Sequence, residues 1–382
     1  MAQRLKTDWI LFVTVLVMMS FGVLILYSAS SIMAQLDPRY GWSWHFVLRQ
    51  MEWAAVAVAV MMTLKKTHYR KFQSPAVAFG AMSLALMLLA VVYVVDTAHH
   101  RWLRVGTIGV QPSELAKPAL VIFLAFFVTW RARAINNPRY TLVPAALAVG
   151  LIILAVVVAD LGTAVVLGAA AAAVFVVAGL EWRYCAIAAA VATLGVVLFI
   201  FAEPYRIVRV VQFSDSLFKM IAKFDPQGKI RSRMEQSLVT RDTNYQLEQS
   251  RIAVGAGGPT GLGLTNGRQK LWYLPEAHTD FIYAVVAEEL GLAGSVGILL
   301  GFGVIFWRGL RAAFRMRDDF GRYLALGVTV VVVVQGFINM SVVLGMMPTK
   351  GIPLPMISYG GSSLLSTLAL LGILMNVAEN AG

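Results

Sequence analysis

The sequence has few of the residues that bind metals or form disulfides. One cysteine, Cys185, occurs among 382 residues, which excludes an intrachain disulfide and a cysteine metal cluster. The five histidines show no spacing typical of metal ligands. His99 and His100 are adjacent, and the preferred interpretation is two solvated loop residues rather than a metal site. The sequence therefore identifies no metal site.

Charged residues are also scarce. They make up 14% of the chain, whereas hydrophobic residues make up 59%, and the mean hydropathy is +0.73. This composition excludes a water-soluble domain, because a bilayer-spanning helix needs about 20 apolar residues and the chain has room for many. The formal net charge of +12 does not indicate nucleic acid binding. The basic residues lie in short loops between apolar runs, where anionic lipid headgroups are the expected partner.

Ten apolar runs are candidates for membrane spans. The first, residues 9–27, has no prominent small-residue cleavage site, so it is predicted to be a membrane helix and not a signal peptide. The sequence predicts an all-α, polytopic membrane protein with about ten transmembrane helices, forming a single domain over residues 1–382. The predicted spans are residues 9–28, 44–64, 74–95, 115–130, 143–159, 162–179, 185–202, 281–307, 321–345 and 359–378.

The distribution of Lys and Arg predicts the orientation. Cytoplasmic loops are enriched in basic residues, so both termini are predicted to be cytoplasmic and the large loop 203–280, between the seventh and eighth spans, extracytoplasmic. The short outer loops then hold four basic residues, Arg39, Arg101, Arg104 and Lys350. The inner loops hold fifteen, namely Arg4, Lys6, Lys65, Lys66, Arg70, Lys71, Arg131, Arg133, Arg139, Arg183, Arg308, Arg311, Arg315, Arg317 and Arg322.

The large loop has some internal organisation. Apolar residues at helical spacing between Phe213 and Phe224 predict an amphipathic helix on the outer leaflet. A second helix is predicted at about 244–254. Six glycines follow between Gly255 and Gly267, without the preceding strand that a phosphate-binding loop needs. They predict irregular backbone close to the membrane.

Ionisable residues lie within or beside the spans, where charge is costly unless it faces a cavity or a partner. Glu114 and Lys117 allow two interpretations, a structural i,i+3 ion pair or a functional pair. Asp160 is either a helix cap or a site residue. Two further acids, Glu288 and Glu289, are predicted to pair internally with Arg49 or Lys117.

The polar stretch 271–280 leads directly into the eighth span. Asp280 could cap that span, but Glu276 and His278 crowd the same point without a capping requirement. An enzyme acting on a lipid-linked diphosphate sugar needs a carboxylate as base and cations for the diphosphate. A transporter for an anionic substrate needs similar cations. The candidate cations are Arg49, Arg101, Arg104, Lys117, Arg206 and Arg209.

Motifs over nearly the whole chain carry a resemblance. They are residues 101–103 (RWL), 111–117 (QPSELAK), 160–163 (DLGT), 205–206 (YR), 245–246 (YQ) with 249–250 (QS), 274–280 (LPEAHTD), 288–291 (EELG) and 353–363 (PLPMISYGGSS), together with the glycine stretch from Gly255. The chain resembles the SEDS family (shape, elongation, division and sporulation), whose members FtsW and RodA are peptidoglycan glycosyltransferases. Residues 275–280 and 348–351 are more similar to the FtsW branch. Residues 158–159 depart from the usual Gln-Pro, residues 213–216 match the family pattern only in part, and the stretch 215–245 is longer than usual.

The resemblance implies Asp280 as catalytic residue, lipid II as substrate, a class B penicillin-binding protein as partner, and a bacterial inner membrane with the site on its outer side. Asp280 would act as general base in one inverting displacement. Cations should lie nearer the diphosphate than Asp280, because positive charge beside a carboxylate lowers its pKa. A divalent cation could assist, although the sequence shows no site for one. The predicted substrate-binding residues are Arg49, Arg101, Glu114, Lys117, Asp160, Arg206, Glu276 and His278.

Two alternatives belong to other classes. A lipid II flippase would need polar residues that continue towards the cytoplasmic side, whereas this polar cluster favours the outer side. A divisome scaffold would leave the intramembrane charges without a role.

Overall fold

The computed structural model describes residues 7–96, 100–105, 108–201, 242–348 and 351–381. Helices form nearly all of the regular structure in these ranges. A short antiparallel hairpin, β1 (Leu103–Val105) and β2 (Ile108–Val110), precedes α4. The helices are α1 (Trp9–Leu36), α2 (His45–Lys66), α3 (Pro75–Val95), α4 (Pro112–Trp130), α5 (Val143–Val157), α6 (Leu161–Val177), α7 (Trp182–Phe201), α8 (Asp242–Gly257), α9 (Ile282–Arg315), α10 (Asp319–Val343) and α11 (Gly361–Asn380).

The predicted all-α polytopic architecture is confirmed. Each of the ten predicted spans coincides with a helix, and α1 extends further than predicted, to Leu36. Within the described residues, nine helices are long and apolar enough to cross a membrane. The tenth, α6, is apolar but has 17 residues, so at 1.5 Å per residue it is about 26 Å long, slightly less than a bilayer core of about 30 Å.

Three helices form the centre of the bundle. About three quarters of the apolar stretch of each of α4, α10 and α11 is buried inside the protein (78%, 72% and 78%). In the other spanning helices at most 33% of the corresponding stretch is buried. Helix α2 packs along α11, α9 along α10, and α3 along α4. The polar residues described below are therefore carried by, or rest against, the most buried of the described helices.

Helix α9 breaks at Gly291, where the backbone adopts φ 64° and ψ −152°. The glycine-rich segment after α8 lies against this break. The Leu262 N–H donates to the Glu288 carbonyl at 3.0 Å, and the Leu292 N–H donates to the Gly258 carbonyl at 3.0 Å. The prediction of irregular backbone is confirmed from Gly258 to Gly267, whereas Gly255 and Gly257 lie within α8. The helix predicted at about 244–254 is confirmed as α8. The predicted amphipathic helix between Phe213 and Phe224 lies outside the described residues.

The glycines allow this close approach of two backbones. A Cβ on Gly257 would lie 1.8 Å from the Ala287 carbonyl oxygen, and one on Gly261 would lie 2.2 Å from the Glu289 carbonyl oxygen. Gly261 also has φ +80°, which side chains with a Cβ rarely adopt. The loop can therefore contact α9 in this way only with glycine at these positions.

Buried acids of α9 bind the same loop. Glu289 accepts hydrogen bonds from Ser28 at 2.7 Å and from the Lys270 ammonium at 2.6 Å. Glu288 accepts from the Arg268 N–H at 2.8 Å. Both glutamates and Lys270 are buried, so each charge has polar partners inside the protein.

Arg49 or Lys117 was predicted to pair with these acids, and for Glu289 this prediction is wrong. Its ionic partner is Lys270, with side chains 2% and 0% exposed for Lys270 and Glu289. The physical reason is the glycine segment, which brings residues 265–270 onto the helix. Spacing along the chain does not reveal that contact.

We expect Gly261→Ala to destabilise the protein by more than about 1 kcal/mol, because alanine is strained at this φ and its methyl group would collide with α9. The measurement is thermal unfolding in detergent followed by intrinsic fluorescence. Gly80→Ala is the matched control, since a Cβ at Gly80 meets no atom within 4 Å and alanine is favoured in a helix. Equal unfolding midpoints for Gly261→Ala and wild type would contradict the packing described here.

Candidate functional site

Asp280 lies just before α9, at the end of the loop 258–281. Helix α9 begins after Phe281, and no side chain caps it, so the interpretation of Asp280 as the cap is wrong. The buried Asn339 of α10 donates from Nδ2 to the carbonyl oxygens of both Asp280 and Ile352, at 2.7 Å each. One amide group therefore joins the Asp280 segment to the segment before α11.

The segment 351–360 is the second half of the site. The Ser358 hydroxyl donates to the Thr279 carbonyl at 2.5 Å and accepts from the Leu354 N–H at 2.8 Å. The Tyr359 N–H donates to the His278 carbonyl at 3.0 Å. The backbone of residues 278 and 279 is thus bonded directly to residues 359 and 358, and Asn339 bridges residue 280 to residue 352.

Arg101 and Asp280 meet at Gly351. A Cβ on Gly351 would lie 2.6 Å from Asp280 Oδ2 and 3.8 Å from Arg101 Nη1. Arg101 Nη2 donates to the Gly351 carbonyl at 3.3 Å. The Arg101 Nε is buried and has no hydrogen-bond partner among the described residues. The backbone N–H groups of Arg101 and Trp102 bond Asp96, which places the arginine on its loop.

Burial raises the pKa of the Asp280 carboxyl to about 7. The positive charge of Arg101 acts in the opposite direction, and the negative charges of Glu276 and Asp160 add to the increase. Arg101 therefore does lie close to the carboxylate, yet its effect is smaller than that of burial. A carboxyl with this pKa is a capable general base near neutral pH.

His278 and Glu276 flank the carboxylate. Burial lowers the pKa of His278, and Glu276 acts in the opposite direction. The imidazole ring packs 4.9 Å from the Phe46 ring and 5.9 Å from the Tyr359 ring, measured between centroids. Glu276 is exposed and accepts a hydrogen bond from the Thr279 hydroxyl at 2.6 Å. His278 is therefore a neutral ring packed against aromatic side chains, and the nearby Glu276 is exposed.

Glu114 and Lys117 form a buried i,i+3 ion pair, with Nζ and Oε2 2.7 Å apart. Lys117 also donates to Gln335 Oε1 at 2.6 Å, and the Gln335 amide donates to the Pro353 carbonyl at 2.9 Å. The structural interpretation of this pair is confirmed, and the pair connects to the site through Gln335. Their substrate-binding role stays a prediction.

Asp160 is the N-cap of α6. Its carboxylate accepts from the Gly162 N–H at 2.9 Å and from the Thr163 hydroxyl at 2.6 Å, which confirms the capping interpretation. A Cβ on Gly162 would lie 2.1 Å from Ile352 Cδ1, so the start of α6 presses on the segment that adjoins Asp280. Asp160 thus acts on the site through charge and packing, and direct substrate contact stays a prediction.

Arg49 lies on α2 and is half-buried. Burial raises the pKa of the Tyr359 phenol, and the positive charge of Arg49 acts in the opposite direction. Arg206 and Arg209 lie outside the described residues. The structure thus brings Arg101, Asp160 and His278 around Asp280. The ion pair of Lys117 and Glu114 is connected to the segment 351–360 through the side chain of Gln335.

The sequence analysis did not single out the residues that hold the site together. Gln335 and Asn339 are four residues apart, on one face of an otherwise apolar helix, where an uncharged polar side chain needs an internal partner. Gln50 likewise bonds the Ser358 carbonyl and the Gly360 N–H, at 3.2 Å each. Side-chain amides inside predicted membrane spans are the sequence feature that could have identified Gln50, Gln335 and Asn339.

Metal binding has no support from side-chain clustering. Among the described residues, no group of three or more His, Cys, Asp or Glu side chains could hold a metal ion. An assisting divalent cation stays a prediction.

Comparisons with known proteins cover the whole chain. The FtsW/RodA/SpoVE family, described as cell cycle proteins, matches residues 8–382. The probable peptidoglycan glycosyltransferase FtsW of Geobacter metallireducens is 35% identical over 382 residues, with 98% of this chain and 95% of the relative covered. Stage V sporulation protein E of Bacillus subtilis is 33% identical over 384 residues, covering 99% and 98%.

Solved structures agree. A chain from a study of polymerization and crosslinking by a peptidoglycan synthase complex superposes with a TM-score of 0.74 at 27% identity, covering 98% of both chains. The rod shape determining protein RodA of Thermus thermophilus superposes with a TM-score of 0.67 at 25% identity, covering 99% of this chain and 98% of RodA. The chain therefore belongs to the FtsW/RodA/SpoVE family of cell cycle proteins, the SEDS family that its sequence motifs resemble.

Proposed function

We propose that the protein is a peptidoglycan glycosyltransferase that polymerises lipid II into glycan strands, with Asp280 as general base. Relatives named as probable peptidoglycan glycosyltransferases support the reaction class. The observation that carries the assignment of Asp280 is its environment. The carboxyl has a pKa raised to about 7 and lies beside a cation, at the end of a loop whose backbone is bonded to Asn339 of the bundle core.

The reaction is one inverting displacement. Asp280 takes the proton from a sugar hydroxyl of the acceptor, and the hydroxyl oxygen forms a bond to the anomeric carbon of the donor. The bond from that carbon to the undecaprenyl diphosphate breaks, and the diphosphate leaves with the bonding electrons. An α-linked donor then gives a β-linked glycan.

Arg101 is the best-placed residue to stabilise the leaving diphosphate. Its Nη2 bonds the Gly351 carbonyl, and its buried Nε has no hydrogen-bond partner among the described residues. An N–H donor in that state gains most from an anionic oxygen. Arg49 and Arg206 are the other cations proposed to bind the diphosphate. His278 and Glu276 are proposed to contact the sugar.

The proposed setting is a bacterial inner membrane, with both termini cytoplasmic and Asp280 on the outer side. The bias of basic residues towards the proposed inner loops supports this orientation. Labelling of a cysteine introduced at residue 276 from the outer side, but not from the cytoplasmic side, would test it.

A class B penicillin-binding protein is the proposed partner. Support comes from the likeness to a chain of a peptidoglycan synthase complex. Three glycines of α9 and α10, Gly297, Gly301 and Gly336, are small enough to allow close helix approach. Gly301 packs against Met18 and Gly336 against Phe302, so both are used inside the bundle. Gly297 faces open space and is exposed, and it is the one of the three that remains for a partner helix.

Asp280→Asn is expected to reduce glycan polymerisation by about 10²- to 10⁴-fold, the usual contribution of a general base. Folding and lipid II binding should persist, because the side chain does not cap α9. Polymerisation of fluorescent lipid II by purified protein measures the effect. Asp319→Asn is the matched control, because Asp319 is a partly exposed acid at the end of α10 opposite to Asn339. Polymerisation by Asp280→Asn at the wild-type rate would rule out the base role.

The rate should depend on pH with an apparent pKa of about 7. Below that value Asp280 is protonated and cannot accept a proton, so kcat/KM should fall about tenfold per pH unit, and above it kcat/KM should level off. Since Arg101 lowers this pKa, Arg101→Gln should move the midpoint to higher pH, whereas Arg101→Lys should keep it closer to wild type. A profile that is flat from pH 5 to 8 would contradict the assignment.

Lys117→Met is expected to destabilise the protein by about 3–5 kcal/mol, because it leaves the buried Glu114 without its counterion. The double variant Glu114→Gln/Lys117→Met should recover most of this loss, as measured by thermal unfolding. Lipid II binding by the double variant then decides the functional role. Unchanged binding would remove both residues from the substrate-binding set, whereas lost binding with recovered stability would keep them.

A further inference from the structure

Three arginines line a small cavity where α1 begins and α9 and α11 end. Arg308, Arg311 and Arg315 lie on one face of the last turns of α9, at positions i, i+3 and i+7. The cavity has a volume of about 60 Å³. Its other lining residues are Asp8, Ala312, Ala378 and Ala381. The alanines leave space between the helix ends, and the arginines surround that space.

The acids near this cavity are already neutralised. Asp8 accepts from Arg308 Nη2 at 2.6 Å and also caps α1 through the Leu11 N–H at 3.1 Å. Glu379 pairs with Lys65, with 3.1 Å between Oε1 and Nζ. The Asp8 carboxylate is therefore the counterion of Arg308.

Arg311 and Arg315 remain as excess positive charge. Among the described residues, no carboxylate lies within 4.0 Å of either guanidinium. The Arg311 guanidinium lies 5.9 Å from the centroid of the Trp307 ring, and the Arg308 guanidinium lies 5.5 Å from it. These contacts orient the cations but do not neutralise them, so the cavity favours an anion.

The position of the cavity indicates a membrane-bound anion. The part of α9 after the break, residues 292–315, is about 36 Å long, whereas a bilayer core is about 30 Å thick, so its last turns reach the headgroup region. Trp307 and Phe314 are exposed beside the arginines, at 54% and 71%. Exposed aromatic rings next to cations are typical of the membrane–water interface.

We propose that this cavity binds the phosphate of one anionic phospholipid, with Arg311 and Arg315 as its ligands and Trp307 against the upper part of the acyl chains. Arginine suits this role because its planar group bonds phosphate oxygens in pairs. The lipid would connect the ends of α1, α9 and α11. The site lies at the opposite end of α9 from Asp280, so it is separate from the proposed catalytic chemistry.

The test is native mass spectrometry of the full-length protein in neutral detergent, titrated with phosphatidylglycerol or with phosphatidylcholine. Wild type should retain one phosphatidylglycerol in preference to phosphatidylcholine. Arg311→Gln/Arg315→Gln should weaken that binding by about tenfold or more. The single variant Arg315→Gln, at an exposed position, should weaken it in the same direction and gives a second measurement if the double variant folds poorly.

The matched control is Arg133→Gln/Arg317→Gln. It removes the same charge from exposed arginines that do not line the cavity, so it should bind phosphatidylglycerol like wild type. Equal binding by the cavity variants and wild type would overturn the proposal, and so would an equal loss in the control. Inorganic phosphate is the last arm, since displacement of the lipid by phosphate at millimolar concentration would assign the cavity to a free anion and overturn the lipid assignment.

Discussion

The side-chain amide of Asn339 bridges the two irregular segments of the site, which also bond each other directly at residues 278 and 279. It donates to the carbonyl of Asp280, at the start of α9, and to the carbonyl of Ile352, before α11. Asn339 belongs to α10, one of the three most buried helices. Within a membrane protein an unsatisfied carbonyl costs several kcal/mol, so each of these bonds is strongly favoured over its loss. The backbone of Asp280 is in this way tied to the bundle core.

Burial and charge act in opposite directions on that carboxylate. Arg101 lies beside Asp280 and lowers its pKa, which would weaken it as a base, but removal from water has the larger effect and the pKa is about 7. The nearby charges of Glu276 and Asp160 contribute in the same direction as burial. The site therefore holds a cation next to a carboxyl that still accepts a proton at neutral pH.

The glycine segment after α8 explains why acids can be buried in a membrane helix. Glycine at positions 257 and 261 lets the loop backbone touch α9, and this contact delivers Lys270 and several backbone N–H groups to Glu288 and Glu289. Each acid is satisfied by the loop, and the loop is held by the acids. This reciprocal arrangement stiffens the segment that ends in Asp280.

Apolar runs were sufficient to predict the ten helices, because membrane helices satisfy their own backbone and need only a long apolar run. Motif residues were sufficient to predict the family, whereas the catalytic role of Asp280 stays a proposal. Boundaries such as Leu36 of α1 were missed, since helix ends depend on local contacts. Tertiary structure alone decided the partner of Glu289, the exclusion of Asp280 as a cap, and the roles of Asn339 and Gln335. These depend on contacts between residues far apart in the chain, such as Lys117 with Gln335 at 2.6 Å. Residue type and spacing show that a buried polar group needs a partner, but packing determines which partner it finds.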